Sequence, residues 1–324
     1  MELLLVGGAG YIGSVTAEIL VARGHRVTIF DNLSTGHRSA VPPEVSFTEG
    51  DLGSVDQLDA LFGGRQFDAV MHFAAKSLVG ESMTEPGRYF ANNVAIVINL
   101  LNAMLARRVH RFVFSSSAAV YGVPDQVPIT EDAPLRPNNP YGEAKAIVER
   151  MLGWYSSQAG LRYAALRYFN AAGASERYGE DHNPETHLIP LAIKTALGKH
   201  QELTVFGTDY PTPDGTAIRD YIHVLDLADA HIRALEAIDQ GSLVCNLGNE
   251  VGYSVQEVLD AVRAVAGHDF PVTHGTRRAG DAPITVASAQ RARETLGWTP
   301  SRGLEDIVES AWRWHRSHSH GNAE

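Results

Sequence analysis

The chain has 324 residues, 44% of them hydrophobic and 20% charged, and acids outnumber bases 38 to 27 for a net charge of -11. That length suits two ordinary domains or one large fold with an insertion, and the composition excludes disorder, collagen and coiled coil as the main architecture. The acidic balance argues against nucleic acid, the single cysteine (Cys245) requires no oxidising compartment, and the lack of a long apolar run or a basic, apolar leader points to a cytoplasmic chain without a membrane span.

Leu3-Leu4-Leu5-Val6 is a continuous apolar run that stops at glycine, as in a strand buried on both faces of a parallel sheet. Over 11–23, Ile12, Val15, Ile19 and Leu20 share a helical face; Gly24 ends that helix, and Arg26 to Phe30 reads as a second strand. Strand, glycine loop, helix and strand in this order form a βαβ unit. Further strands at 67–73, 111–115 and 163–167 alternate with helices at 91–107 and 141–159, which predicts an α/β fold with a doubly wound parallel sheet. Pro124, Pro128, Pro134, Pro137 and Pro140 make 122–140 a loop, and 207–217 is another. Past residue 170 the alternation fades, so the chain divides into 1–170 and a smaller C-terminal α/β domain, 171–324. A helix at 224–238 and a strand at 243–247 make 224–248 a segment that returns to the main sheet. The histidine-bearing tail from His315 reads as a solvated end rather than a metal chelator.

Gly7, Gly10 and Gly13 fall between the first strand and the first helix. In that context glycines let the backbone approach a pyrophosphate, and the helix N-terminus supplies free amides. Asp31 ends the second strand, where a carboxylate accepts both ribose hydroxyls of adenosine and repels a 2′-phosphate, favouring NAD over NADP. The competing reading is an ordinary strand–helix turn with a surface aspartate. Asp51 and Leu52, after the third strand, suit an adenine contact, or a helix cap in the case of Asp51.

Tyr141 and Lys145 stand at i and i+4, on one helix face. A free tyrosine titrates near 10 and is a poor base at neutral pH; a neighbouring ammonium lowers that pKa, so the phenol can take a proton from a hydroxyl as hydride leaves the same carbon. The strand ending Ser115-Ser116-Ser117 precedes the pair and offers a hydroxyl to the same oxygen.

The glycine pattern, the hydroxyl-rich strand end and Tyr-x-x-x-Lys, in this order, resemble the extended short-chain dehydrogenase/reductases. The stretches 114–122, 139–145, 166–170, 219–224 and 278–281 resemble, within that family, the UDP-glucose 4-epimerases, over nearly the whole chain. Related dehydratases carry an acid just after the serine; Ala118 and Ala119 stand there, so elimination at C6 lacks its proton donor.

The resemblance implies NAD-dependent interconversion of UDP-glucose and UDP-galactose, with NAD retained through the cycle and Ser117, Tyr141 and Lys145 catalytic. It implies a cofactor set of Gly7, Gly10, Tyr11, Ile12, Gly13, Asp31, Asn32, Asp51, Leu52, Phe73, Ala74, Ala75, Asn93, Ser115 and Tyr168, together with Tyr141 and Lys145. On the substrate side it implies Ser117, Asn170, His187 and Leu188, a uracil slot of Leu203, Phe206 and Tyr221, Arg219 and Arg278 on the pyrophosphate, and Asp281 on the ribose. Surface ion pairs with Asp220 and Asp281 are the plainer reading of the two arginines. Thr285 would lie beside the sugar, and its small size would admit UDP-N-acetylhexosamines. Three positions depart from the pattern: Val6 replaces a threonine, Lys76 falls one residue early, and His187 replaces an asparagine. No metal is expected. A homodimer would form through helices 91–107 and 141–159, with Val94, Ile98, Leu101 and Leu105 on its face. The rivals are a UDP-glucuronate 4-epimerase or another nucleotide-sugar epimerase, and a non-catalytic NAD- or sugar-nucleotide-binding regulator, for which an activated phenol has no use.

Overall fold

The computed structural model describes residues 1–278 and 280–318. The first six strands are β1 (Glu2–Val6), β2 (Arg26–Asp31), β3 (Ser46–Glu49), β4 (Ala69–His72), β5 (Arg111–Ser117) and β6 (Arg162–Tyr168). After them come β7 (Asn170–Ala172), β8 (Leu203–Phe206), β9 (Ile218–His223) and β10 (Leu243–Leu247). The main sheet has seven strands in the order β10-β6-β5-β4-β1-β2-β3, all parallel.

Side chains of a strand alternate between faces, and β1 divides accordingly. Leu3 and Leu5 enter one core with α1 (Tyr11–Ala22). Leu4 and Val6 enter the other, with α2 (Val55–Gly64). Next come α3 (Val79–Thr84), α4 (Pro86–Phe90), a π-helical turn at Ala91–Ala95 and α5 (Ile96–Ala106), then α6 (Pro140–Ala159). α5 and α6 share the second core, through Val97, Leu100, Val148 and Leu152.

The smaller lobe is built on α7 (Leu188–Ala196), α9 (Val255–Ala266) and α11 (Leu304–Ser317), numbered around α8 (Val224–Ala237) and α10 (Gln290–Leu296). Its strands are β7, β9, β11 (Gly252–Ser254) and β13 (Ile284–Thr285) in one sheet, and β8 with β12 (Val272–Gly275) in another. Ile189, Ile193, Val258, Leu259, Ile307 and Val308 are among its core residues.

Three expectations change. α4, the π turn and α5 run on from Pro86 to Ala106, and among the described residues this is the one helix long and apolar enough to cross a membrane. Beyond Arg88 near its start, its polar interruptions are the uncharged Asn92, Asn93, Asn99 and Asn102, so no unbroken apolar run marks it in the sequence. The 224–248 segment lies with the main sheet, but so does a later one: Ala289, Ala292, Leu296 and Trp298 pack in the core that holds Leu227 and Leu247. The tail expected to be solvated from His315 begins inside α11: His315 is 3% exposed, its ring set edge-on to Trp314. His320 lies outside the described residues.

Candidate active site

The sheet order reverses between β1 and β4, and in open parallel sheets ligands occupy the crevice outside the strands' carboxyl ends at such a point. A cavity of ≈ 710 Å³ opens there. Gly7, just after β1, has φ +75°, and a Cβ on it would stand 2.4 Å from the Ala74 amide nitrogen. The glycine loop and the segment after β4 therefore meet backbone to backbone. No side chain caps α1 at Gly10, so its first amides carry their partial positive charge to the cavity wall.

Asp31 is fixed by two amides: Ala9 donates to Oδ2 at 3.0 Å and Leu33 to Oδ1 at 2.8 Å. Burial raises its pKa against the pull of those bonds. Beside it the Asn32 amide donates to Asp51 at 2.8 Å. This end of the cavity presents an anchored carboxylate and bare backbone, a fit for an adenosine ribose and a pyrophosphate.

The other end is set by the start of α6. Asn139 caps the helix by accepting the Gly142 amide at 2.8 Å, and Pro140 occupies the first turn. A Cβ on Gly142 would lie 2.3 Å from the Ala119 carbonyl oxygen, so glycine lets α6 press against the turn after β5. That contact brings Tyr141 beside Ser117 on the cavity wall, and the Ser117 hydroxyl pulls the phenol's pKa down. Ser117 Oγ also accepts the Ala119 amide at 3.1 Å. Lys145 is buried and donates to the Ser115 carbonyl oxygen at 2.6 Å, with its ammonium 5.9 Å from the Tyr141 ring centre. Behind it, Arg167 pairs with Glu149 through both carboxylate oxygens, and Ser116 donates to Glu149 at 2.5 Å.

The electrostatics differ from the expectation. Burial raises the Tyr141 pKa, opposed by the Ser117 hydroxyl, and burial lowers Lys145 from 10.5 to about 7, opposed by Glu149. The ammonium faces a carbonyl rather than the phenol oxygen, so desolvation outweighs the lysine's influence on the tyrosine.

The fold brings Gly7, Gly10, Tyr11, Ile12, Gly13, Asp31, Asn32, Asp51, Leu52, Phe73, Ala74, Ala75, Ser117, Tyr141, Lys145, Tyr168, Asn170, His187, Arg219, Asp281 and Thr285 to one cavity wall. Arg219 is held by its Nη1 donating to the Ala282 and Ile218 carbonyls at 2.8 and 2.9 Å, with Asp281 3.8 Å from Nη2. Asn170 is anchored by its amide on the Asp220 carbonyl at 2.8 Å. Asp220 makes no surface pair: it is buried and accepts amides from Asn249, Glu250 and Ala287.

Seven expected residues lie elsewhere. Leu188, at the start of α7, and the strand residues Leu203 and Tyr221 pack in the core of the smaller lobe; for the latter two, alternation along short strands does not show which face meets a ligand. Asn93 is buried behind the wall, with its amide group bonded to both the Lys76 N–H and carbonyl at 2.9 Å. The Ser115 side chain turns away to His231 at 2.9 Å. Arg278 stacks on Phe206, 4.2 Å from the ring centre, two residues before cavity-lining Gly280.

Other cavity residues escaped the sequence reading. Asn138 donates to the Gly280 carbonyl at 3.0 Å, tying the loop before α6 to the smaller lobe. Glu180 and His182 line the wall beside His187. Glu180 pairs with the His187 Nδ1 at 2.7 Å and raises its pKa well above the ordinary value. A histidine and a glutamate every few residues from 180 to 187 was the available signal.

Comparison with known proteins follows the same geometry. Residues 3–248 match the model of the NAD dependent epimerase/dehydratase family. A UDP-glucose 4-epimerase of Lacticaseibacillus casei is 48% identical over 326 aligned residues, covering 99% of this chain and 98% of its own. A crystal structure of UDP-glucose 4-epimerase from Brucella ovis in complex with NAD is 46% identical with a TM-score of 0.94, covering 96% of this chain and 97% of that one. One from Bifidobacterium longum in complex with NAD+ and UDP is 36% identical with a TM-score of 0.94, covering 99% and 100%.

Proposed function

The chain belongs to the NAD dependent epimerase/dehydratase family, and from that premise we propose that it interconverts UDP-glucose and UDP-galactose through a transient 4-keto sugar. The observation that carries the proposal is the convergence of Ser117, Tyr141 and buried Lys145 on one cavity at the reversal point of the sheet.

With its phenol ionised, Tyr141 takes the O4 proton and becomes neutral, while the Ser117 hydroxyl beside it holds the same oxygen. Lys145 supplies positive charge as the phenolate forms. Bound NAD supplies the acceptor and donor of the C4 hydride; Gly7, Gly10, Gly13, Asp31 and the Phe73–Ala75 backbone would hold it. Arg219 and Asp281 take the UDP end, and Asn170 the region between; Arg278, two residues before cavity-lining Gly280, would have to leave Phe206 to join the pyrophosphate contact. Ala118 and Ala119 line the cavity after Ser117 and carry no acid, which supports epimerisation over dehydration. Residues 1–170, with 224–248 and the 289–298 return, form the cofactor half of the chain, and the smaller lobe forms the substrate half.

Purified protein given UDP-galactose should yield UDP-glucose without net NADH, and Tyr141→Phe should lower kcat about 10²- to 10⁴-fold. A 4-keto-6-deoxy product, or full turnover by the variant, would overturn the reading. Neither a uronate substrate nor a regulator without catalysis is favoured. Thr285 is half-buried on the cavity wall, in register with Arg219, which supports room for an N-acetyl group. Some UDP-N-acetylgalactosamine should form from UDP-N-acetylglucosamine at high enzyme concentration; its absence would exclude this breadth.

The chain is read as a cytoplasmic homodimer. Its one cysteine is buried and free, and the apolar Pro86–Ala106 helix suits contact with a second copy as well as it suits a membrane. Leu101 is fully buried in the chain's own core, so the contact face centres on Ile98 and on Trp154 of α6, which is 70% exposed.

A further inference from the structure

Glu180, His182, Glu185 and His187 each bring one ligand atom to a cluster whose members all lie within 4.8 Å of one another. The contacts are close: His187 Nδ1 to Glu180 Oε1 is 2.7 Å, His182 Nδ1 to the same oxygen is 3.1 Å, and His187 Nδ1 to Glu185 Oε1 is 3.1 Å. The two imidazole centres are 5.3 Å apart. Four donors around a tetrahedral zinc, at ~2.0–2.1 Å each, stand roughly 3.3 Å from one another, so changes in separation of at most about 1.5 Å would convert one arrangement into the other.

Two further features favour a ligand over a plain ion-pair network. The carboxylates are held in advance. Glu180 is 6% exposed at its side chain, and Glu185, 5% exposed, accepts the Thr186 and His187 amides at 2.8 and 2.9 Å. Moreover, Glu185 Oε2 is shut off from solvent without a hydrogen-bond partner among the described residues. A buried carboxylate oxygen left bare is costly, and a cation bound by that carboxylate removes the cost.

We propose that Glu180, His182, Glu185 and His187 form a site for one divalent transition-metal ion at the rim of the cavity. Two imidazole nitrogens with two carboxylates suit zinc, cobalt or iron(II) and not calcium or magnesium, which favour all-oxygen shells. The ion takes the place of the protons that the Nδ1 atoms now share with the carboxylates, and those protons pass to solvent. Its role is to staple the 180–187 segment, three of whose cluster residues line the cavity.

The test uses the full-length chain without an affinity tag, stripped with chelator and then titrated with Zn²⁺ and, separately, Co²⁺. One equivalent of zinc should survive dialysis, and Co²⁺ should give visible d–d absorption. His182→Ala and the milder Glu185→Gln should each weaken uptake at least about tenfold, with bound NAD and circular dichroism confirming that the variants fold. No stoichiometric uptake by the wild-type chain would overturn the proposal, as would equal uptake by folded variants, which would assign the metal to the tail histidines.

Discussion

Lys145 combines burial, a single-bond tie to the Ser115 carbonyl, and a pKa depressed to about 7. An ammonium placed so is costly to the fold, because desolvation disfavours its charged form. Lys145→Met keeps most of the volume and removes that cost. The variant should be about 1–3 kcal/mol more stable at pH 7 by denaturant unfolding, while kcat falls by roughly 10³-fold. The pH dependence follows from the same depression. Between about 7 and the unfolded lysine's ~10.4, the unfolded chain holds a proton that the folded chain has released, so wild-type stability should climb with pH across that window. In Lys145→Met the climb should flatten; an unchanged slope would mean that another group is responsible.

At the scale of elements, catalytic geometry depends on how closely α6 approaches the turn after β5. Asn139 and Pro140 start the helix where it must start, and Gly142 permits an approach so close that any Cβ would stand 2.3 Å from the Ala119 carbonyl oxygen. Gly142→Ala should therefore push the helix outward and separate Tyr141 from Ser117. The expected cost is about 1–3 kcal/mol in unfolding free energy and a kcat loss near 10²-fold with little change in bound NAD. A variant with normal kcat would show that the turn yields instead of the helix. Asp220 works at the same scale, joining β9 to the loops at 249–250 and 287 through three amides.

For the whole molecule, the open questions are association and charge. The helix from Pro86 to Ala106 leaves Ile98 38% exposed, and Trp154 of α6 is more exposed still. Such an apolar face suits the proposed contact with a second copy. Light scattering should give twice the chain mass for the wild type and the single mass for Ile98→Glu; a monomeric wild type would remove the dimer. The net charge of -11 opposes two anionic diphosphate ligands, so their binding rests on local devices: the amides of α1, Arg219, and the carbonyls that hold Arg219 in place.

By itself the sequence determined what depends on short-range spacing. The alternation of apolar runs and helices specified the parallel sheet, because strand and helix periods are local properties. The glycines with Asp31, and Tyr141 with Lys145, were legible for the same reason: each sits a fixed number of residues from a strand end or along one helix face. Tertiary structure alone decided what depends on contacts between distant segments. Leu203 and Tyr221 went to the core and Asp220 to a buried knot of amides, while Asn138 crossed to the smaller lobe. Burial, not the nearby lysine, determined the direction of the Tyr141 pKa, since desolvation depends on everything packed around a group and no spacing in the chain records it.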